Sequence, residues 1–308
     1  MPELPEVQTT VMGLNRVLRG LVIKDVWTEY DSPYFHGSDT IKDPEYFKYF
    51  KKKIVGTKIT NVTRRAKNIL VHLSNGYTIL IHMKMTGHIM YGNYNKKDPF
   101  NRFIRLIFYL SNGETMELCD TRKFAKVTLI ETKNMHDSVH LKGIGHEPLE
   151  KGFSFSIFKN QLSKKSQGKI KTVLMDQSVI AGIGNIYADE SLWRAGIHPE
   201  ELVRNILDKK NTANRGLDKK SEIKSNSKLK NLFRAIKTVL QKGIDFGGDS
   251  MSDYRNIHGE RGKFQEQHRA YRKTGKKCSK PKCKGIITRI VVGGRGTHFC
   301  NIHQRLSK

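Results

Sequence analysis

Residues 175–199, MDQSVIAGIGNIYADESLWRAGIHP, read as helix, glycine turn, helix. Asn185 stands where the second helix would be capped, just after Gly182 and Gly184. Such glycines allow close backbone approach, and free N–H groups at a helix start favour an anion. A plain helical hairpin with packing glycines is the other meaning of this pattern. Further helical stretches lie on either side, FSIFKNQLSKK (155–165) and KLKNLFRAIKTVLQKG (228–243). Between 208 and 227 the chain is polar and charged without apolar periodicity, which suits a mobile insertion.

The anion has a candidate in the charge balance. Lys and Arg outnumber Asp and Glu by 56 to 29 in 308 residues, a net +27. Such an excess makes sense opposite a polyanion, and nucleic acid is the expected partner. Hydrophobic residues make up 37%, as in a soluble globular protein, and no apolar run reaches the roughly 20 residues of a membrane span. Neither secretion nor a membrane location is expected. The expected place is the cytoplasm, or wherever the genome is held.

Toward the C-terminus, Cys278, Cys283, Cys300 and His303 form C-x4-C-x16-C-x2-H. The residues between the two pairs, GIITRIVVGGRGTHF (285–299), are two β-type runs about a Gly-Gly turn. A hairpin with a ligand pair at each end brings three thiolates and an imidazole around one structural Zn2+, with no position left for water. Arg295 lies between Gly294 and Gly296 at the tip, where it can reach a phosphate unobstructed. Cys119 stands apart and reads as a core residue.

Toward the N-terminus, residues 5–18 read as a helix with Val7, Val11, Leu14 and Leu18 on one face. From about 20 to 131, seven β-rich stretches follow: LVIKDVW, KITNVT, NILVHL, YTILIHMKM, RFIRLIFYL, TMELCD and AKVTLI. They predict a β-sandwich or flattened barrel behind one leading helix, an α+β multidomain protein. Gly and Pro gather at 143–152, where the strand pattern stops. The expected domains are 1–142, a linker at 143–153, a helical domain at 154–265, and a zinc finger at 270–308.

These motifs together resemble the formamidopyrimidine-DNA glycosylase family, grouped with endonuclease VIII. The matching stretches are MPELPEV at the start, GIGNIYADESLWRAGIHP, and GGRGTHFC followed by HQR. MTG (85–87), DTRKF (120–124), HEPL (146–149), GGDSMSDY (247–254) and GERGKFQ (259–265) extend the match over nearly the whole chain. The resemblance implies a clamp. A β-sandwich with its leading helix meets a helix–two-turn–helix domain and a β-hairpin zinc finger, with double-stranded DNA carrying oxidised bases held between. A monomer is expected.

By the same resemblance, Pro2 becomes the nucleophile once Met1 is removed. A side-chain lysine of pKa ~10.4 is only about 0.1% neutral near pH 7.5, whereas an α-amino group near ~8 is neutral to tens of per cent. A secondary amine also yields an iminium ion, an electron sink for strand cleavage by β,δ-elimination. Glu3 matches the general acid and base. Glu6 matches a supporting carboxylate, although a first-turn acid also suits a helix dipole. Lys67 matches a strand-borne lysine that helps at the reaction centre or on an adjacent phosphate. Met85, Arg122 and Phe124 match the residues that fill the void left by an everted base. Asn185 and Arg295 match phosphate-gripping residues. Residues 249–267 match a lid over an everted purine.

Leu4, Arg122 and Phe124 favour the branch acting on 8-oxoguanine and formamidopyrimidines. The alternatives are an endonuclease VIII-like enzyme for oxidised pyrimidines and a non-catalytic damaged-DNA-binding zinc-finger protein. Four residues rather than the usual two separate Cys278 from Cys283, and His303 replaces a cysteine. Lys84 and His146 replace a common glycine and proline.

Overall fold

The computed structural model describes residues 1–207 and 219–307. The chain folds into two compact units, one of Met1–Gly143 with Gly243–Gln265, the other of Ile144–Lys242 with Glu266–Lys308.

In the first unit, helix α1 (Leu4–Leu18) buries Val7, Val11, Leu14 and Leu18, the face its spacing predicts. Eight strands follow: β1 (Ile23–Thr28), β2 (Ile59–Arg65), β3 (Asn68–Leu73), β4 (Tyr77–His82), β5 (His88–Tyr91), β6 (Ile104–Leu110), β7 (Thr115–Cys119) and β8 (Lys126–Glu131). They form two antiparallel four-stranded sheets, β1-β6-β7-β5 and β2-β3-β4-β8. Alternate residues of both sheets, including Val26, Phe108, Leu118, Val71, Ile81 and Val127, join the α1 stripe in one apolar cluster. This is the expected sandwich with its leading helix.

Two elements differ from the sequence expectation. Helix α2 (Pro44–Ile54) interrupts the strands; Asp43 caps it, accepting the Glu45 N–H at 2.9 Å, and Pro44 occupies the first turn. The stretch read as one strand through Met85 ends at His82, and β5 begins at His88. Met85 therefore lies in a turn, whose Lys84 has φ +52°.

The second unit carries α3 (Phe155–Ser163), α4 (Ile170–Met175), α5 (Asn185–Ala195), α6 (Val203–Ile206) and most of α7 (Lys219–Asp245). Phe153, Phe158 and Phe233 pack with ring centroids 5.5–6.1 Å apart. Strands β9 (Ile287–Val292) and β10 (Arg295–Cys300) close the C-terminal hairpin. Its two-residue turn has φ +55° at Gly293 and +73° at Gly294, the geometry that favours glycine at both positions. Of the insertion expected at 208–227, residues 208–218 lie outside the described residues, and α7 already runs from Lys219. The segment Gly243–Gln265, expected in the helical domain, packs in the first unit instead.

Candidate active site and nucleic-acid interface

The first unit presents the start of α1 as a tightly held corner. Pro2, Glu3 and Glu6 are all buried. Glu3 is the N-cap, and the two acids form a reciprocal capping box. Oε2 of Glu6 accepts the Glu3 N–H at 2.7 Å. Oε1 of Glu6 accepts the Asp249 N–H, also at 2.7 Å. Tyr254 donates its hydroxyl to the Glu6 carbonyl at 3.1 Å. Gly248 has φ +87°, and a Cβ there would lie 2.9 Å from Glu6 Cγ, so the loop needs glycine to come this close. Glu6 thus ties α1 to the loop at 249.

The loop is itself anchored. Arg255 Nε donates to Asp98 Oδ2 at 2.7 Å, Ile257 enters the core, and the Tyr91 N–H donates to the Ile257 carbonyl at 2.8 Å. Met251 and Ser252 are exposed, whereas Tyr254, Arg255, Ile257 and Phe264 are buried. Buried and exposed residues thus alternate along 249–267, so the segment is anchored over most of its length.

Lys67 was expected on a strand. It stands instead in the two-residue turn between β2 and β3, after Ala66 at φ +52°. Arg64 holds this turn to α1, donating from Nε to Gln8 Oε1 at 2.8 Å and from NH1 to the Ala66 carbonyl at 2.9 Å. Lys67 is buried, and nearby His82 is pushed down to about 3, chiefly by burial and then by the charges of Lys84 and Lys67.

Met85, Arg122 and Phe124 sit on two turns of the same unit. Met85 is 36% exposed and Phe124 47%, well outside the core. The Arg122 guanidinium lies 4.4 Å from the Phe124 ring centroid, a cation–π contact that keeps the two side chains together. Fully buried Asp120 holds both turns. Its Oδ1 accepts the Thr86 hydroxyl at 2.5 Å, and its Oδ2 accepts the Ala125 N–H at 2.7 Å and the Tyr30 hydroxyl at 3.0 Å.

In the second unit, Asn185 is the first residue of α5 rather than its cap; Gly184 takes the N-cap position. The Asn185 side chain donates to the Gly296 carbonyl at 3.1 Å, which joins the α5 start to the hairpin tip. Arg295 is exposed beside that carbonyl, at the head of β10. Beneath them, fully buried Lys171 and Asp189 pair at 2.6 Å. Lys171 also donates to Thr297 Oγ1 at 2.7 Å, and the His298 N–H donates to Asp189 Oδ2 at 2.8 Å. One ion pair therefore fixes α4, α5 and β10 together.

Cys278, Cys283, Cys300 and His303 converge, their ligand atoms all within 4.8 Å of one another. The Sγ atoms of Cys283 and Cys300 are 3.6 Å apart, and His303 Nδ1 lies 3.4 Å from Cys278 Sγ and 3.7 Å from Cys283 Sγ. Bond lengths of about 2.3 Å to sulfur and about 2.05 Å to nitrogen put tetrahedral edges near 3.8 and 3.6 Å, so a zinc-sized ion fits. His303 Nε2 lies 3.0 Å from the Trp193 carbonyl, which leaves Nδ1 as the free lone pair. The Gly285 N–H holds the Cys283 thiol below its ordinary pKa, whereas burial pushes Cys300 up to about 11. Buried Cys119 donates to the Asn101 carbonyl at 3.2 Å, as a core residue does.

Residues 1–127 match the formamidopyrimidine-DNA glycosylase N-terminal domain, and residues 144–215 match the formamidopyrimidine-DNA glycosylase H2TH domain. The formamidopyrimidine-DNA glycosylase of Bacillus subtilis (strain 168) is 35% identical over 300 residues, covering 97% of this chain and 98% of the relative. The chain belongs to the formamidopyrimidine-DNA glycosylase family. Solved members of this family share its fold. The Lactococcus lactis enzyme, as a mutant bound to DNA containing Fapy-dG, is 32% identical, with TM-score 0.79 and coverage of 99% of this chain and 100% of that one. MutM in complex with DNA containing carbocyclic 8-oxo-G is 32% identical, with TM-score 0.78 and coverage of 99% and 100%.

Within this glycosylase, several residues escaped the sequence. Asp120 and Thr86 lie inside quoted motifs, yet only the fold shows them joining two turns. Lys171 is one lysine among many until Asp189 is seen beside it. Glu190 likewise accepts three successive backbone N–H groups, from Arg269, Ala270 and Tyr271, at 2.9–3.0 Å. It fastens the approach to the zinc-finger segment onto α5. Such roles are non-local and leave no local signature.

Proposed function

We propose that this chain removes 8-oxoguanine and formamidopyrimidines from double-stranded DNA and then nicks the strand as an abasic-site lyase. The observation that carries this is the capping box behind Pro2, which sets a buried carboxylate beside a residue that becomes the terminal secondary amine once Met1 is lost. The family assignment and the lesions named for its solved relatives support the same substrate class.

In this mechanism the Pro2 nitrogen attacks C1′ of the damaged nucleotide. The N–C1′ bond forms, the glycosidic bond breaks, and the base leaves with a proton. The Pro2 nitrogen gives up its proton, Glu3 in its acid form protonates the sugar ring oxygen, the ring opens, and an iminium ion results. Loss of a C2′ proton then expels the 3′ phosphate, and a second elimination expels the 5′ phosphate. Glu6 takes the positioning part, holding the Glu3 N–H and the loop at 249. Lys67 lies buried in its turn, where its charge serves the reacting sugar or the adjacent phosphate. Met85, Arg122 and Phe124 fill the hole left by the everted base, the two apolar groups as wedges and Arg122 as a hydrogen-bond donor to the orphaned partner. Asn185 and Arg295 grip backbone phosphates.

Zinc fits the Cys278, Cys283, Cys300 and His303 donor set. Its contribution is folding energy for the hairpin that presents Arg295. Incubation of the Met1-processed protein with duplexes carrying 8-oxoguanine opposite cytosine, or thymine glycol, tests the assignment. Preferential excision and nicking of the first is expected. Preference for thymine glycol moves the enzyme to oxidised pyrimidines, and tight binding without cleavage of either removes the catalytic assignment.

A further inference from the structure

We infer that Thr86 is a positioning residue that couples the Met85 turn to the Arg122–Phe124 turn, so that the three exposed side chains enter DNA as one wedge. This rests on the glycosylase function proposed above. The Thr86 hydroxyl is buried and uses both hydrogen-bonding directions, donating to Asp120 Oδ1 at 2.5 Å and accepting the Arg122 N–H at 3.2 Å. One oxygen atom thus links the turn that carries Met85 to the backbone of Arg122. A residue needed at this position only for packing has no use for a hydroxyl.

Both turns also contain a backbone conformation that needs outside support. Lys84 has φ +52° and Lys123 φ +54°, left-handed values that side chains other than glycine rarely adopt. Each of these lysines is the immediate neighbour of wedge residues. The Lys123 carbonyl is gripped by the ammonium of buried Lys42 at 2.7 Å, and Lys42 Nζ in turn lies 4.8 Å from the Phe35 ring centroid. On the far side, Lys123 Nζ reaches Glu29 Oε1 at 3.0 Å, and Arg105 Nε donates to the Asp120 carbonyl at 3.2 Å. The backbone around Arg122 and Phe124 is thereby fixed from several directions, and Thr86 extends that hold to Met85.

A wedge of this kind helps push a stacked base out as well as filling the hole behind it; a ready-made abasic site presents the hole but has no stacked base to displace. The test compares wild type with Thr86→Val, which keeps the shape and loses the hydroxyl, and Thr86→Ser, which restores it. Three readouts are taken on the full-length protein after Met1 removal. They are single-turnover excision of 8-oxoguanine, nicking of a preformed abasic site, and fluorescence of a 2-aminopurine placed beside the lesion. For loss of a net hydrogen bond pair, Thr86→Val is expected to slow excision and the fluorescence change by about 10-fold, leave abasic nicking within about 3-fold, and regain excision as Thr86→Ser.

Wild-type excision by Thr86→Val, or equal loss of excision and nicking, overturns the coupling. Should Thr86→Val not fold, Lys42→Met frees the Lys123 carbonyl and is expected to show the same split at a smaller amplitude. A wild-type protein that neither excises nor nicks refutes the proposed function, while the fluorescence comparison still decides whether Thr86 couples the turns.

Discussion

The Glu6 carboxylate accepts the backbone N–H of Asp249 at 2.7 Å, across 243 residues of chain. Its other oxygen accepts the Glu3 N–H. Both acceptor positions of one buried side chain are therefore committed to backbone groups that cannot rotate away. Glu6→Gln keeps the volume but turns an NH2 toward one of these N–H donors. A buried donor left unsatisfied costs about 1–3 kcal/mol. The expected result is a stability loss of that size in urea unfolding, with slower covalent trapping on lesion DNA because the corner behind Pro2 loosens.

His88 gives the first unit a defined acid sensitivity. Burial pushes its pKa down to about 4, from an ordinary value of 6.5, while Nε2 pairs with Asn101 Oδ1 at 2.9 Å. A base whose folded pKa is depressed contributes stability above the unfolded value and loses it as pH falls toward the folded one. The window is therefore pH 6.5 to 4, and about 2.5 pH units at about 1.4 kcal/mol each make the loss on the order of 3–4 kcal/mol. Denaturant titrations across that window should show this slope, and His88→Gln should flatten it.

The buried Lys171–Asp189 pair predicts a mutation with effects on both stability and binding. Removing one partner strands a charge at zero exposure, typically costing about 3–5 kcal/mol. Asp189→Asn should destabilise the second unit by this order and weaken DNA binding as well. The same residue holds the His298 N–H, two residues from the Gly296 carbonyl that Asn185 contacts. Calorimetry and DNA titration at fixed salt would check the two effects separately.

Metal binding at the three thiols and His303 requires proton loss, so zinc affinity should rise with pH between about 6 and 8. Atomic absorption should find one zinc per chain. Cys283→Ser or strong chelation should sharply weaken DNA binding and leave the β-sheet circular dichroism of the first unit in place. Full DNA affinity in the zinc-free protein would contradict the role given to the finger.

Local patterns announced much of this molecule. The short β-rich apolar runs of β3, β4 and β8 and the α1 stripe set the sandwich core, and the cysteine spacing brought its four ligands together. Helix α2 was hidden although Asp43-Pro44 is a start signal, because its Tyr and Phe residues also suit strands. The break between β4 and β5 was hidden because Met83 and Met85 continue the apolar run of β4, while the left-handed Lys84 turns the chain. The return of Gly243–Gln265 to the first unit depends on contacts such as Arg255 with Asp98, partners 157 residues apart. Composition within a window carries no record of such a partner. The exposure of Met85 and Phe124 was equally invisible, since both residue types more often belong to a core.

The central claim is that the nitrogen of Pro2 forms the bond to deoxyribose. Its most direct test is peptide mapping of the borohydride-reduced complex between the Met1-processed protein and 8-oxoguanine DNA. The adduct should lie on the N-terminal peptide, with fragment ions that place the added mass on Pro2. An adduct on Lys67, or on any other lysine, would contradict the account.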